Sequence, residues 1–196
     1  MHKNLSAFSK HQRTLRKMIR KSTALRELAE RTGLPALVWQ CNLIQYVSLW
    51  SHDYSGLVEE MLRASSRWKK KLYARHLAIT IFEGTSDFAV LLGKPLRDHL
   101  VGFGLATRLE AERKTLHKEI VQFARSHGPF LKRIRNSVIG HRDHNAKTQI
   151  ELIDSMKPAK MYRLCLALIR WSKKFYQTLL IPILQELDGR LARVSK

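Results

Sequence analysis

Apolar residues recur at helical spacing along almost the whole chain, and this limits what it can fold into. Leu5, Phe8, Leu15, Met18, Ile19, Leu25 and Leu28 follow a helical period with basic residues between them. Gly33 and Pro35 in "TGLP" supply a stop. A second apolar run, "ALVWQCNLIQYVSLW", reaches Trp50, and "SHDYSG" is expected to break it before a short helix "LVEEMLRA". Ser66 is a cap candidate for a long helix that ends at "GKP". Residues 95–127 read as one or two helices with a boundary near Gly102 and Gly104, and "HGP" is expected to end the second at Gly128 and Pro129. A new helix starting at Pro129 or Phe130, a loop over "RDHNAKT", a short helix "QIELIDSM" and a last helix opened by Pro158 complete the reading. Pro182 should kink or end that last helix.

No segment alternates as a strand does, and no linker separates two folded units. The expected fold is all-α, a single-domain helical bundle. Residues 1–60 are read as a basic N-terminal helical extension and residues 61–196 as the helical domain proper. No apolar run reaches membrane-spanning length, and the basic N-terminus lacks the apolar stretch of a secretory signal, so a cytoplasmic place is expected. Cys41 and Cys165, each inside an apolar helical stretch, read as buried free thiols.

Charge narrows the partners more than the fold. Lys and Arg number 36 against 16 Asp and Glu, a net +20. Residues 1–75 carry +10 and residues 129–196 carry +9, while residues 76–128 carry only +1. Such an excess attracts polyanions, nucleic acid before membrane surfaces.

The chemistry concentrates in "RIRNSVIGHRDHN", Arg133 to Asn145. Arginine presents a planar cationic fork suited to phosphate, and histidine moves protons near neutral pH. Cleaving an RNA phosphodiester needs both, since the 2′-hydroxyl loses a proton, the 5′-oxygen gains one, and charge builds on phosphorus. Arg135, Asn136 and His141 are the candidates, with Lys132, Arg133, Arg142 and His144 around them as candidate RNA contacts. At about 100° per residue, Arg135 and His141 lie about 120° from alignment on a helix. A helix end near Gly140, or a second subunit, has to bring them together. The alternative is that the arginines form a solvated edge.

Upstream, His76, Thr80, Glu83 and Asp87 share one face of the third helix, among apolar residues that make it look buried over much of its circumference. Glu83, in mid-helix, is expected to face the arginine-histidine segment; the alternative is that the stripe is the helix's solvent face. His141 and His144 with Asp143 would make half a metal site, but no second cluster completes it, and no metal or other cofactor is assigned. "SRWKKKLYAR" interleaves Trp68 and Tyr73 with basic residues, a stacking platform for bases or a basic helix start.

At these residues a resemblance enters. "IRNSVIGHRD" resembles the Arg-x(4–6)-His signature of the HEPN superfamily (higher eukaryotes and prokaryotes nucleotide-binding), and is most similar to its abortive-infection AbiU-type group. The resemblance spans roughly residues 68–186 and leaves residues 1–60 unexplained. It implies a helical bundle that forms a homodimer with two copies of the signature lining one cleft, and a metal-independent endoribonuclease of toxin–antitoxin or antiphage systems. It assigns Arg135 to the scissile phosphate, His141 to general acid or base work, Asn136 to orienting either, and Glu83 to supporting Arg135 or the imidazole. Two other readings stay open: a non-catalytic RNA- or nucleotide-binding module, and a helical scaffold whose basic flanks bind an acidic protein such as an antitoxin.

Overall fold

The computed structural model describes residues 2–136 and 146–186, and every element among them is helical. In chain order these are α1 (His2–Arg31), α2 (Pro35–Arg63), α3 (Arg67–Leu91), α4 (Lys94–Gly102), α5 (Ala106–Ile134), α6 (Ala146–Ser155) and α7 (Pro158–Phe175). A π-helical turn, Tyr176–Leu180, continues α7, and helical backbone resumes over residues 181–186. The fold is an all-α bundle. None of the helices among the described residues is long and apolar enough to cross a membrane.

Most of the stop signals act as expected. Gly33 and Gly104 sit in the left-handed region, at φ +67° and +65°, where a side chain would be strained. They turn the chain between α1 and α2 and between α4 and α5. Ser66 caps α3 by accepting a hydrogen bond from the backbone N–H of Lys69 at 3.1 Å. Pro95 and Pro158 stand in the first turns of α4 and α7, where a missing N–H costs nothing.

Three expected breaks or ends are absent. Residues of "SHDYSG" continue α2 without interruption, because their small polar side chains are used by the core. Tyr54 Oη lies 3.0 Å from Ser172 Oγ, and Ser51 Oγ donates to the same serine at 3.4 Å. Gly56 has Gln12 of α1 at 3.4 Å from where a Cβ would stand, so it fits close against that helix. Pro129 likewise lies inside α5. Leu131 and Ile134 beyond it are fully buried, and their burial outweighs the backbone hydrogen bond the proline removes. Near Pro182 the chain neither ends nor breaks, since the π-helical turn just before it absorbs the altered hydrogen bonding.

Helices α2, α3, α5 and α7 pack as an antiparallel four-helix core. Each neighbouring pair shows the opposed register: Trp50 Nε1 of α2 donates to the Thr80 carbonyl of α3 at 2.8 Å, while Tyr46 further back reaches Asp87 further on. His117 of α5 meets the Ala89 carbonyl of α3 at 2.9 Å, and Trp171 Nε1 of α7 donates to the Leu116 carbonyl of α5 at 3.2 Å. Trp50, Phe88, Trp171 and Phe175 form the aromatic centre, with ring centroids 4.9 Å apart for Trp50–Phe88 and 5.4 Å for Phe88–Trp171. Such pairs contribute about 0.5–1.5 kcal/mol each beyond their buried area. Cys41 and Cys165 are free and buried, and burial raises both thiols above their ordinary range.

Helix α1 lies outside the four, antiparallel along α2. Glu59 is nearly buried there and accepts hydrogen bonds from Ser9 Oγ at 2.7 Å and Gln12 Nε2 at 3.1 Å, with Arg63 as its ion-pair partner. The residues of α2 facing inward, Val47, Trp50, Tyr54 and Val58 among them, belong to the same core as α3 and α7. At the far end of the bundle Arg113 is buried and closes α3. It donates to the carbonyls of Leu92 and, at 3.2 Å, Gly93, while Glu110 holds it at 2.7 and 2.8 Å.

His99 of α4 stacks on Trp39 of α2 with ring centroids 3.8 Å apart. Burial lowers its imidazole from the ordinary 6.5 to about 4. Between those values the unfolded chain binds a proton that the folded chain does not, so stability falls as pH drops through that window. Replacing His99 by phenylalanine should flatten this dependence. Urea midpoints at about pH 7 and about pH 5 check it: the gap between the two conditions should shrink in the variant.

Candidate functional site

Helix α5 ends in a basic turn. Lys132 and Arg133 are exposed there, beside the helix C-terminus, where the backbone dipole favours cations. Ile134 is fully buried and anchors the turn in the core. Arg135 follows it. Its Nε lies 3.6 Å from Glu83 Oε1 on α3, and its Nη1 donates to Asn136 Oδ1 at 3.3 Å. Residues 52 positions apart in the chain thus meet because α3 and α5 run antiparallel side by side.

This pair is open to solvent, with Arg135 43% and Glu83 54% exposed. An exposed ion pair adds at most about 1 kcal/mol to stability, so the contact orients the guanidinium more than it holds the fold. Among the described residues, Glu83 and Asn136 are the side chains that meet the Arg135 guanidinium.

The stripe on α3 is solvent-facing, which corrects the expectation of a largely buried helix. Its inward face is Leu77, Ala78, Ile81, Gly84, Thr85 and Phe88. His76, Glu83 and Asp87 are exposed on the opposite side. Thr80 spends its hydroxyl on the His76 carbonyl at 3.1 Å, and Asp87 accepts from Tyr46 Oη. Of the stripe, Glu83 alone pairs with the arginine turn. His141, Arg142 and His144 lie outside the described residues, as do Val138 and Ile139.

Further cations stand at the starts of α3 and α7. The start of α3 carries Arg67, Lys69 and Lys70, with Trp68 58% exposed among them. Lys70 lines a small cavity with Met61, Leu62, Pro158 and Tyr162, which places the starts of α3 and α7 together. Lys160 of α7 stands 3.6 Å over the Phe130 ring of α5. Lys71, almost fully buried, pairs with Asp154 and so ties α6 to α3. The start of α3 therefore lies near the start of α7, whose Lys160 covers Phe130 of α5, while the arginine turn itself meets α3 at Glu83, well beyond Lys70. Sequence spacing alone could not join the starts of α3 and α7, since they lie more than 60 residues apart. The alternating helix directions, readable from the short loops, were the only signal.

Among the described residues there is no cluster of histidine, cysteine and carboxylate side chains able to hold a metal ion. Comparison of the chain with models of known protein families, with curated proteins and with solved structures gave no match.

Proposed function

We propose that the chain is a metal-independent endoribonuclease of HEPN type, with a toxin-like or antiphage role in the cytoplasm. The observation that supports this reading best is the Glu83–Arg135–Asn136 constellation at the basic end of α5. The 2′-oxygen of the substrate attacks the adjacent phosphorus, the bond to the 5′-oxygen breaks, and a 2′,3′-cyclic phosphate and a 5′-hydroxyl result. Arg135 neutralises the charge that builds on the phosphoryl oxygens, a role in which a preorganised cation outperforms water. Glu83 and Asn136 hold the guanidinium in place. His141 moves the proton at the 2′- or 5′-oxygen. Lys132, Arg133, Arg142 and His144 contact the backbone of the RNA, and Trp68 offers a stacking face. Two copies in a homodimer would set two such sites around one cleft, and a protein antitoxin would act by covering it.

The test uses purified wild-type and His141→Ala protein, matched for folding by circular dichroism, with total RNA in EDTA. Wild type should cleave, and the variant should lose about 10²–10⁴-fold of that activity. A second reading, a non-catalytic RNA-binding module, draws on the exposed cations of α1, such as Arg13, Lys17, Arg20 and Lys21. It is favoured if neither protein cleaves and both bind RNA with the same steep salt dependence.

A further inference from the structure

One face of this strongly basic molecule is acidic and apolar. Two adjoining cavities, of about 630 and 310 Å³, open along the seam between α2 and α3 and share Tyr46, Leu49 and Asp87. Trp39, Val90 and Pro95 wall the larger, and Asp53 and Glu83 edge the smaller. Among the described residues no lysine or arginine lines either of them, though Arg135 reaches Glu83 at the rim. Leu49 is 48% exposed and Val90 70%, and the indole and phenol rings of Trp39 and Tyr46 extend the apolar surface. Tyr46 Oη donates to Asp87, which fixes that exposed carboxylate along the edge of the groove. The phenol's own proton is held more tightly than usual, first by burial and then by this hydrogen bond, so Tyr46 stays the donor.

Shape and charge narrow the occupant. The lining of α2 runs from Trp39 to Asp53, about 21 Å at roughly 1.5 Å per residue, the length of about four helical turns. That is long for a small molecule and suits a rod. Asp53 and Asp87 repel phosphate, so RNA that meets Arg135 beside Glu83 does not extend along this groove. A second copy docked by two-fold symmetry through this groove would bury the same three carboxylates from both copies and bring no complementary cation. An apolar floor with an acidic edge is the complement of a helix with an apolar stripe and a flanking row of lysine or arginine.

We propose that the α2–α3 groove docks a cationic amphipathic helix of a partner protein. Apolar side chains at i, i+3 or i+4, and i+7 of that helix lie over Tyr46, Leu49 and Val90. Its cations meet Asp53, Glu83 and Asp87. Glu83 also pairs with Arg135, so an occupied groove would compete for the carboxylate that orients the candidate site. Docking itself does not depend on the ribonuclease reading; only this coupling does.

The probe is a fluorescein-labelled peptide of about 18 residues, long enough to be helical, with leucine at those spacings and lysine elsewhere. A matched peptide with glutamate in place of lysine is the control. Fluorescence anisotropy is read with the full chain, with Leu49→Lys, and with the combined Asp53→Asn, Glu83→Gln and Asp87→Asn variant, each checked for helicity. The lysine peptide should bind, and each variant should weaken it about tenfold or more. The glutamate peptide should be insensitive to either variant, since it can bind only the basic surfaces elsewhere. If net charge governs, the glutamate peptide binds the tighter and neither variant changes the lysine peptide; that result overturns the proposal. Sedimentation showing a dimer that Leu49→Lys dissociates, with lysine-peptide affinity unchanged, overturns it in favour of self-association.

Discussion

RNA cleavage by an Arg135→Ala variant is expected to fall by about 10²–10³-fold with little change in stability. The two halves of this result have separate causes. The guanidinium is 43% exposed and its partner Glu83 54%, so losing the pair costs at most about 1 kcal/mol of folding. In the proposed reaction the same group faces the charge that builds on phosphorus, where a fixed cation is worth several times as much. Arg135→Lys should recover only part of the rate, because an ammonium keeps the charge but loses the planar fork. Glu83→Gln should cost less, about tenfold, since the carboxylate acts through Arg135 and not on the RNA. The decisive comparison is the double variant. If Glu83 works by positioning Arg135, then Arg135→Ala with Glu83→Gln should be no slower than Arg135→Ala alone. Rate constants for the four proteins on one RNA, alongside their thermal midpoints, check this. Cleavage unaffected by Arg135→Ala would remove the arginine from the mechanism.

Gly84→Ala is expected to destabilise the bundle by about 2–5 kcal/mol, a large loss for the smallest of substitutions. A Cβ at residue 84 would stand 1.9 Å from Trp50 Nε1 and 2.2 Å from Trp50 Cε2. The indole lies flat against the α3 backbone because Gly84 has no side chain, and there it donates to the Thr80 carbonyl at 2.8 Å. A methyl group forces the ring away. That breaks the hydrogen bond of a buried donor and disturbs the packing on Tyr54, Phe88 and Trp171, whose ring centroids lie 5.1, 4.9 and 6.3 Å from that of Trp50. The thermal midpoint should drop by roughly 2–4 °C per kcal/mol for a chain of this size. Gly102→Ala is the control. Nothing lies within 4 Å of a Cβ there, so it should change stability by less than about 1 kcal/mol. Equal midpoints for Gly84→Ala and wild type would mean the indole does not sit where the structure places it.

How legible these features are in the chain differs with their physical origin. The turn at Gly33, the cap at Ser66 and the first-turn proline Pro158 are local devices, whose effect depends on φ, a missing N–H or one side-chain oxygen. They read correctly. "SHDYSG" and Pro129 carry the same local signals and do not break their helices, because the deciding partners are distant. Ser172 of α7 takes up the hydroxyls of Ser51 and Tyr54, and the buried Leu131 and Ile134 hold the turn after Pro129.

The candidate site divides along the same line. Arg135 and Asn136 are neighbours in the chain, so the sequence alone sets them together. It also establishes an all-helical chain, the basic excess and the offsets that put His76, Thr80, Glu83 and Asp87 on one face, since all of these follow from composition and the helical period. Only the tertiary structure decides that this face is open to water, that Arg135 is the residue meeting the Glu83 expected to face it, that the start of α7 stands beside both the start of α3 and Phe130 of α5, and that the carboxylates of α2 and α3 border one apolar groove. Each of these is fixed by which helices lie side by side and in what register. That is settled by side chains such as Trp50 finding the gap at Gly84, across a distance in sequence that no local pattern spans.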